Sequence, residues 1–194
     1  IIIFGAGGLA REVAFLIEEI NKNSPQWEIL GFVDTAEKNV GKNIGKYTVI
    51  CTEDEVLAKN MQVSAAIGIG NPSIIKKVVE RFKSNSRINF PNLIHPSTIW
   101  DQENIVMGNG NIICAGNIFT TDIQIGAFNI FNLGCTYGHD TKIKNYCVFN
   151  PGVNLSGGVE VGSNCLIGTG AKILQFKHIG EGAIVGAGAV VVKD

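Results

Sequence analysis

Residues 161–190 read VGSNCLIGTGAKILQFKHIGEGAIVGAGAV, and an apolar residue recurs in this stretch at every sixth position. These positions are Val161, Ile167, Ile173, Ile179 and Val185, and glycine directly follows four of the five. A period of six is neither the 3.6 of a helix nor the 2 of a strand. It fits a unit of one short strand and one corner, called here a hexad, so that three hexads make one triangular coil.

The same phase continues toward the N-terminus without an insertion. Fifteen consecutive positions in steps of six are apolar or aromatic, namely Met107, Ile113, Phe119, Ile125, Phe131, Tyr137, Ile143, Phe149, Leu155, Val161, Ile167, Ile173, Ile179, Val185 and Val191. Since only about half of the residues in an ordinary chain are apolar, chance does not explain such a run. The pattern predicts a parallel β-helix of about five coils, with one inward residue per side. A β-sandwich would instead show a period of two and irregular loops.

Many of the inward positions are followed by glycine, as at Gly108, Gly126, Gly138, Gly162 and Gly168. We expect these glycines to relieve the backbone at the corners, where a positive φ is often needed.

The first ninety or so residues have a different organisation, because strand-like and helix-like segments alternate there. Strands are predicted at 1–4, 28–34 and 63–70, helices at 9–22, 53–60 and 72–84, and a further strand within 88–94. Alternation of this kind indicates a parallel sheet with helices packed on it. The sequence therefore predicts an α/β Rossmann-like domain at 1–94 and a β-helix domain at 95–194.

Charge and cysteine content narrow the function classes. The formal net charge is −1, so no basic field for nucleic acid is present, and no apolar run is long enough for a transmembrane span.

The five cysteines form no CxxC pair, which is typical of reduced thiols in a cytoplasmic protein. Cys147 and Cys165 are three hexads apart and should stack in adjacent coils. We interpret them as packing residues and predict no metal site, because no histidine or carboxylate lies at a ligand spacing.

Four segments, in this order, are similar to one known group of enzymes: IIIFGAGGLAREV (1–13), NLIHPS (92–97), GHD (138–140) and LSGGVEVG (155–162). They resemble the hexapeptide-repeat acyltransferases, and among these the sialic-acid O-acetyltransferase and nucleotide-sugar N-acetyltransferase family. The resemblance implies a left-handed β-helix and transfer of acetyl from acetyl-CoA to an amino or hydroxyl group of a sugar in bacterial glycan or surface-polysaccharide biosynthesis. It also implies a homotrimer with active sites between subunits.

His139 is the candidate catalytic residue for acetyl transfer. By itself, a histidine beside an aspartate at a corner is usually only a solvated polar residue. Acetyl transfer, however, needs a base that titrates near neutral pH, and imidazole does so. Asp140 could orient the ring, provided the corner brings the two side chains together.

Gly157 lies one full coil after His139 in the hexad frame. Its N–H could donate to the thioester carbonyl as negative charge develops there. The resemblance implies these same roles, with His139 as the general base and the Gly157 amide in contact with the acetyl group. It also implies that Thr169 and Ala187 contact acetyl-CoA.

The glycine turn GAGGLA (5–10) follows a strand and opens a helix, which is the setting in which backbone amides hold phosphates. Asp34 ends the second strand and could bind a ribose hydroxyl. Alone, the turn could also indicate NAD binding or simple packing, although the domain is too short for a second mononucleotide half. The resemblance implies binding of a nucleotide sugar at Gly8, Leu9, Ala10, Asp34, Thr35 and Gly68 to Asn71. Several relatives have histidine at the position of Leu9, so only backbone contacts to phosphate are expected there.

Two alternatives stay open at this point. One is a nucleotide-sugar-binding β-helix protein without catalysis, and the other is an acetyltransferase of a small acceptor such as serine. Of the remaining histidines, we expect His95 to pack at the entry to the β-helix and His178 to lie on the surface.

Overall fold

The structure is a computed structural model that describes residues 1–59 and 62–194. Its N-terminal part is a six-stranded sheet in the order β3-β4-β2-β1-β5-β6, in which only the β3–β4 pair is antiparallel. The elements are β1 (Ile2–Phe4), α1 (Gly8–Asn23), β2 (Gly31–Asp34), a 3₁₀ turn (Glu37–Asn39), β3 (Asn43–Ile44), β4 (Tyr47–Thr52), α2 (Glu53–Ala58), β5 (Val63–Ile67), α3 (Pro72–Phe82) and β6 (Ile88–Asn89).

Local chemistry explains where these helices begin. Thr52 and Glu55 form a reciprocal capping box at the start of α2. Asn71 caps α3 by accepting the Ile74 N–H at 3.2 Å, and Pro72 occupies the first turn. The last residue of the helix predicted at 53–60 lies outside the described residues. Strand β4, which pairs with β2, was not predicted from the sequence.

The C-terminal part is a stack of two-residue strands on three faces, as the hexad pattern predicts. Face I consists of β7 (Leu93–Ile94), β10 (Ile112–Ile113), β13 (Ile130–Phe131), β16 (Val148–Phe149), β19 (Leu166–Ile167) and β22 (Ile184–Val185). Face II consists of β8 (Ile99–Trp100), β11 (Ile118–Phe119), β14 (Thr136–Tyr137), β17 (Asn154–Leu155), β20 (Lys172–Ile173) and β23 (Val190–Val191). Face III consists of β9 (Val106–Met107), β12 (Gln124–Ile125), β15 (Lys142–Ile143), β18 (Glu160–Val161) and β21 (His178–Ile179).

The predicted core of this left-handed β-helix is confirmed. All fifteen hexad positions lie in one hydrophobic cluster, twelve of them buried and three near its ends partly buried. Aromatic rings from neighbouring coils stack within it: Phe119 on Tyr137 at 4.5 Å between centroids, and Phe131 on Phe149 at 5.2 Å. Such offset and stacked pairs stabilise the core beyond their buried area.

The explanation given for the glycines after the inward positions was wrong. Positive φ values occur instead at the third residue after each inward position from Met107 to Val185, in glycines such as Gly158 (φ +66) and in six other residues, for example Asp140 and Phe176. Five of the glycines directly after inward residues serve close coil packing, namely Gly108, Gly126, Gly138, Gly162 and Gly168. A Cβ atom on Gly138 would lie 2.6 Å from the Gly157 nitrogen of the next coil, and one on Gly168 would lie 2.5 Å from the Ala187 nitrogen.

Face I carries the contact between the two parts of the chain. Its outward residues Leu93, Ile112, Ile130 and Val148 are buried and belong to the same hydrophobic cluster as the N-terminal sheet and helices. Helix α1 lies next to β7. The contact fixes the α/β domain beside the β-helix. Within residues 1–59 and 62–194, no helix combines the length and the apolarity needed to cross a bilayer.

A buried asparagine ladder follows the corner between faces III and I. Asn129 is fully buried, and both its backbone N–H and its Nδ2 donate to Asn111 Oδ1, at 2.9 and 3.0 Å. Its own Oδ1 accepts the backbone N–H of Cys147 at 2.8 Å. Each asparagine therefore satisfies a backbone group that would otherwise be buried without a partner.

Replacing Asn129 with alanine should remove this acceptor and leave the Cys147 N–H buried and unpaired. We expect a loss of about 2 kcal/mol in the free energy of unfolding, measured by urea denaturation. Gln124→Ala, at an exposed outward position of β12, is the control and should change stability by less than about 0.5 kcal/mol. Equal effects of the two substitutions would contradict the ladder's role.

Candidate active site

The corner between faces II and III, called here the II–III corner, brings His139 and Gly157 together. The two residues occupy equivalent positions in adjacent coils, as their spacing of three hexads predicts. A Cβ atom built on Gly157 would lie 2.5 Å from Cε1 of His139 and equally within collision distance of Nε2. The imidazole therefore lies directly over the Gly157 backbone, and only glycine leaves space for it.

Asp140 contacts His139, which answers the question that the sequence left open. Asp140 has a left-handed backbone conformation (φ +59), so its side chain does not point away from that of its neighbour as in an extended strand. The distance between Asp140 Oδ2 and His139 Nδ1 is 2.7 Å. A carboxylate only accepts hydrogen bonds, so this contact favours the ring tautomer that carries its hydrogen on Nδ1 and a lone pair on Nε2, on the Gly157 side.

The backbone around Gly157 is fixed by hydrogen bonds to both neighbouring coils. The Gly158 N–H donates to the His139 carbonyl at 2.7 Å, and the Phe176 N–H donates to the Gly157 carbonyl at 3.1 Å. Among the described residues, no acceptor engages the Gly157 N–H itself. The corner thus presents a free backbone donor beside Nε2 of the imidazole, with half of the His139 side chain open to solvent.

Thr169 and Ala187 lie elsewhere on the β-helix. They stack on the corner between faces I and II, called here the I–II corner, one and two coils beyond the coil of Gly157. Face II separates them from His139. A single chain therefore does not bring the predicted donor contacts and the predicted base together.

The predicted nucleotide-binding positions meet at one edge of the N-terminal sheet. Strand β1 lies between β2 and β5, so the order in which successive strands are added to the sheet reverses at β1. Segments 5–10, 34–35 and 68–71 follow the carboxyl ends of β1, β2 and β5, respectively. Ligands of open parallel sheets bind at such a switch point.

Two of the loops at this edge pack tightly against each other. A Cβ atom on Gly68 would lie 2.6 Å from the Cα of Ala10, which is fully buried. Leu9 packs on Gly70, with Leu9 Cδ2 3.6 Å from the position of a Gly70 Cβ. Helix α1 has neither a side-chain cap nor an acidic residue in its first turn, so the amides around Gly8 remain available to an anion.

The polar residues at this edge already have intramolecular partners. Asp34 Oδ1 accepts the Ala36 N–H at 2.8 Å, and its Oδ2 accepts Asn39 Nδ2 at 3.0 Å. Thr35 is exposed beside it, and Asn71 is engaged as the α3 cap. Asp34 therefore holds its loop in shape while one face of the carboxylate remains partly accessible.

Two residues near these sites were not singled out from the sequence. The Arg11 guanidinium lies close to Gly8, with Nη2 3.9 Å from the position of a Gly8 Cβ, and Arg11 has no ion pair within the described part of the chain. Phe176 lies on the II–III corner next to Gly158. Arg11 fits the helical pattern of its segment, so the sequence gives no sign of a separate role. Phe176 departs from the small residues that are usual at the corners, and this departure is a signal that could have been used.

The other histidines and the cysteines have structural surroundings. His95 Nδ1 lies 2.8 Å from Ser97 Oγ at the entry to the β-helix, and His178 is exposed. Cys147 and Cys165 are buried thiols that donate to the carbonyls of Gly162 and Gly180, at 3.0 and 3.1 Å. Across residues 1–59 and 62–194, no group of three or more His, Cys, Asp or Glu side chains is placed to hold a metal ion.

Comparisons with known proteins agree with this geometry. Residues 1–82 match the PglD N-terminal domain, and residues 140–175 match the bacterial transferase hexapeptide (six repeats). No curated protein matches the chain.

Solved structures similar to this chain include sugar acetyltransferases. A mutant of perosamine N-acetyltransferase from Caulobacter crescentus, in complex with CoA and GDP-perosamine, is 26% identical with a TM-score of 0.89, over 100% of this chain and 88% of that chain. The acetyltransferase domain of PglB from Neisseria gonorrhoeae, in complex with acetyl coenzyme A, is 26% identical with a TM-score of 0.87, over 100% and 90%. WeeI from Acinetobacter baumannii, at 23% identity and a TM-score of 0.74 over 97% and 94%, shows the same fold.

These matches bear out the predicted class of enzyme, an acyltransferase, and its two-part fold. The resemblance predicted from the sequence is therefore confirmed: residues 1–82 are similar to the PglD N-terminal domain and residues 140–175 to the bacterial transferase hexapeptide, and the whole chain has the fold of these acetyltransferases.

Proposed function

We propose that this protein transfers the acetyl group of acetyl-CoA to the amino group of a nucleotide-activated amino sugar in bacterial glycan biosynthesis. The observation that supports this most directly is the II–III corner. There, an imidazole held by Asp140 lies over Gly157, whose N–H is free to bind a carbonyl oxygen.

The geometry supports direct attack of the acceptor on the thioester. Nε2 of His139 takes a proton from the attacking amine as its nitrogen bonds to the acetyl carbon. The carbonyl oxygen then carries the negative charge, and the Gly157 N–H donates to it. When the tetrahedral intermediate collapses, the carbon–sulfur bond breaks and the imidazolium returns its proton to the CoA thiolate. No nucleophilic side chain is needed.

Asp140 has two roles in this mechanism. Its contact with Nδ1 fixes the tautomer that leaves Nε2 free, and its charge stabilises the imidazolium that forms during transfer.

The N-terminal domain is proposed to hold the nucleotide part of the acceptor, with residues 1–94 for binding and 95–194 for transfer. The glycine turn would take the diphosphate on the amides of Gly8 to Ala10, with Asp34 and Thr35 toward the ribose and Gly68 to Asn71 closing the other side. The perosamine enzyme, 26% identical, was solved with CoA and GDP-perosamine, which favours an amino sugar as the acceptor.

We further infer a homotrimer in the cytoplasm, where five free cysteines remain reduced. Thr169 and Ala187 are on the I–II corner and His139 is on the II–III corner, so donor and base come together only if the corners of two chains face each other. A cyclic arrangement places unlike surfaces of neighbours in contact in this way. The active site would then be shared between subunits.

Release of free CoA in the presence of UDP-, GDP-, dTDP- and CMP-linked amino sugars tests the activity. The wild-type protein should turn over at least one of them, and His139→Ala should reduce kcat by about 10²–10⁴-fold while the fold, measured by circular dichroism, stays intact. Turnover of serine alone, or nucleotide binding without CoA release, would support the alternatives instead. Full activity of His139→Ala would refute the mechanism.

Gly157→Ala tests the contact between the imidazole and the backbone. The new methyl group would occupy the position of the ring, so His139 should be displaced and kcat should fall by about 10²-fold with little change in the KM of the nucleotide sugar. The matched control is Gly180→Ala, because a Cβ atom at Gly180 meets nothing within 4 Å and its φ is not positive. An equal loss of activity in the control would contradict this interpretation.

Mixing two inactive variants tests the shared site. His139→Ala lacks the base, and Ala187→Trp should block the predicted donor surface on the other corner. If each site combines corners of two chains, co-refolded mixtures should recover about a quarter of the wild-type sites by random assembly. No recovery in assembled mixed oligomers, or a monomeric mass by light scattering for an active enzyme, would contradict the trimer.

A further inference from the structure

Phe176 has an unusual position for a large apolar residue. It lies on the II–III corner at the third residue after an inward position, in register with Asp140 and Gly158 of the two preceding coils. Its φ is +59, a region that bulky side chains rarely adopt, and 68% of its surface is exposed. Both features are unfavourable for folding alone, so the residue calls for another explanation.

The Phe176 ring and the His139 ring contact the same dipeptide from opposite sides. The His139 ring, from the preceding coil, lies over Gly157, and the Phe176 ring, from the following coil, lies over Gly158 at 2.6 Å between Cε1 and the position of a Cβ. The Phe176 N–H also donates to the Gly157 carbonyl at 3.1 Å. Gly157, whose N–H is free, therefore has the imidazole over its own backbone and an exposed aromatic ring over its neighbour Gly158.

Phe128 shows the same local geometry with a different outcome. Its φ is +58, and its ring lies over Gly110 of the preceding coil, with Cδ1 2.5 Å from the position of a Cβ. Phe128, however, is buried and packs edge-on against Phe90 at 5.3 Å between centroids. At Phe128, where an aromatic residue with positive φ serves packing, the ring of Phe90 covers it. Phe176 makes no ring contact with any aromatic residue of the described chain.

We propose that Phe176 forms the apolar wall of the donor site and contacts the thioester and the adjoining methylene groups of the pantetheine arm of acetyl-CoA. This rests on the proposed function. With the acetyl carbonyl on the Gly157 N–H, the acceptor approaches from the side of His139, which belongs to the preceding coil. The sulfur side must then leave toward the following coils, where Phe176 lies. Thr169 and Ala187 are also in following coils, and those of a neighbouring chain would face this corner in the proposed shared site.

The test compares Phe176→Ala and Phe176→Gly with Ile184→Ala, an equally exposed apolar residue on face I. Both Phe176 variants should raise the Kd for CoA in calorimetry, and the KM for acetyl-CoA, by about tenfold, while the KM of the nucleotide sugar stays unchanged. Phe176→Gly should also raise the melting temperature, since glycine adopts positive φ without strain. Ile184→Ala should leave both constants unchanged.

The inference is overturned if CoA affinity is unchanged in both variants, if the KM of the nucleotide sugar rises in place of that for acetyl-CoA, or if the variants lose affinity only because their oligomeric mass changes. Its failure is distinguishable from failure of the proposed function. A wild-type protein that binds CoA but acetylates no sugar refutes the function, and the calorimetric comparison at Phe176 still decides the donor contact.

Discussion

Backbone pairing between successive coils is the constraint on which the rest of the molecule depends. Paired residues are 18 positions apart from β9 onward and 19 apart where β7 and β8 pair with the next coil. Every strand of the β-helix has two residues and pairs in register with the strand one coil away. Such short strands have no stability of their own, so the stack forms only if successive coils keep their strands in register and bury their inward residues on those of their neighbours. That is why the hexad phase runs without an insertion from Met107 to Val191, and why the aromatic rings of the core stack in pairs.

The same spacing favours glycine at two places of the hexad, for two different reasons. Directly after five of the inward residues, the next coil approaches so closely that a Cβ atom would collide with backbone, as at Gly138. Two residues later, the chain turns through the left-handed region, which Gly158 adopts freely and Asp140 adopts at some cost. At the candidate site these requirements coincide with function. The turn at Asp140 directs its carboxylate to Nδ1, and the absence of side chains at Gly157 and Gly158 leaves space for rings from both adjacent coils.

The N-terminal domain contributes through topology more than through particular side chains. Because β1 lies between β2 and β5, three loops far apart in sequence meet at one edge of the sheet. Close contacts between Gly68 and Ala10 keep that edge compact and leave backbone amides as its main polar groups. Burial of face I against this domain then holds that edge of the sheet and the β-helix in one unit. An acceptor bound at this edge would therefore be held in position for the acetyl transfer that we propose at the corner of the β-helix.

The sequence by itself determined the β-helix, its core and the pairing of His139 with Gly157, because a strict period converts directly into positions in space. It also predicted most helices and strands of the first domain, but not β4, since a strand that pairs across a sheet leaves no periodic signal of its own. Only the tertiary structure decided that Asp140 reaches His139 and that the glycines after inward residues serve close packing between coils. It also decided that Thr169 and Ala187 lie on a different corner from His139. Each of these depends on backbone torsion angles and on contacts between coils, which a linear pattern of residue types does not specify.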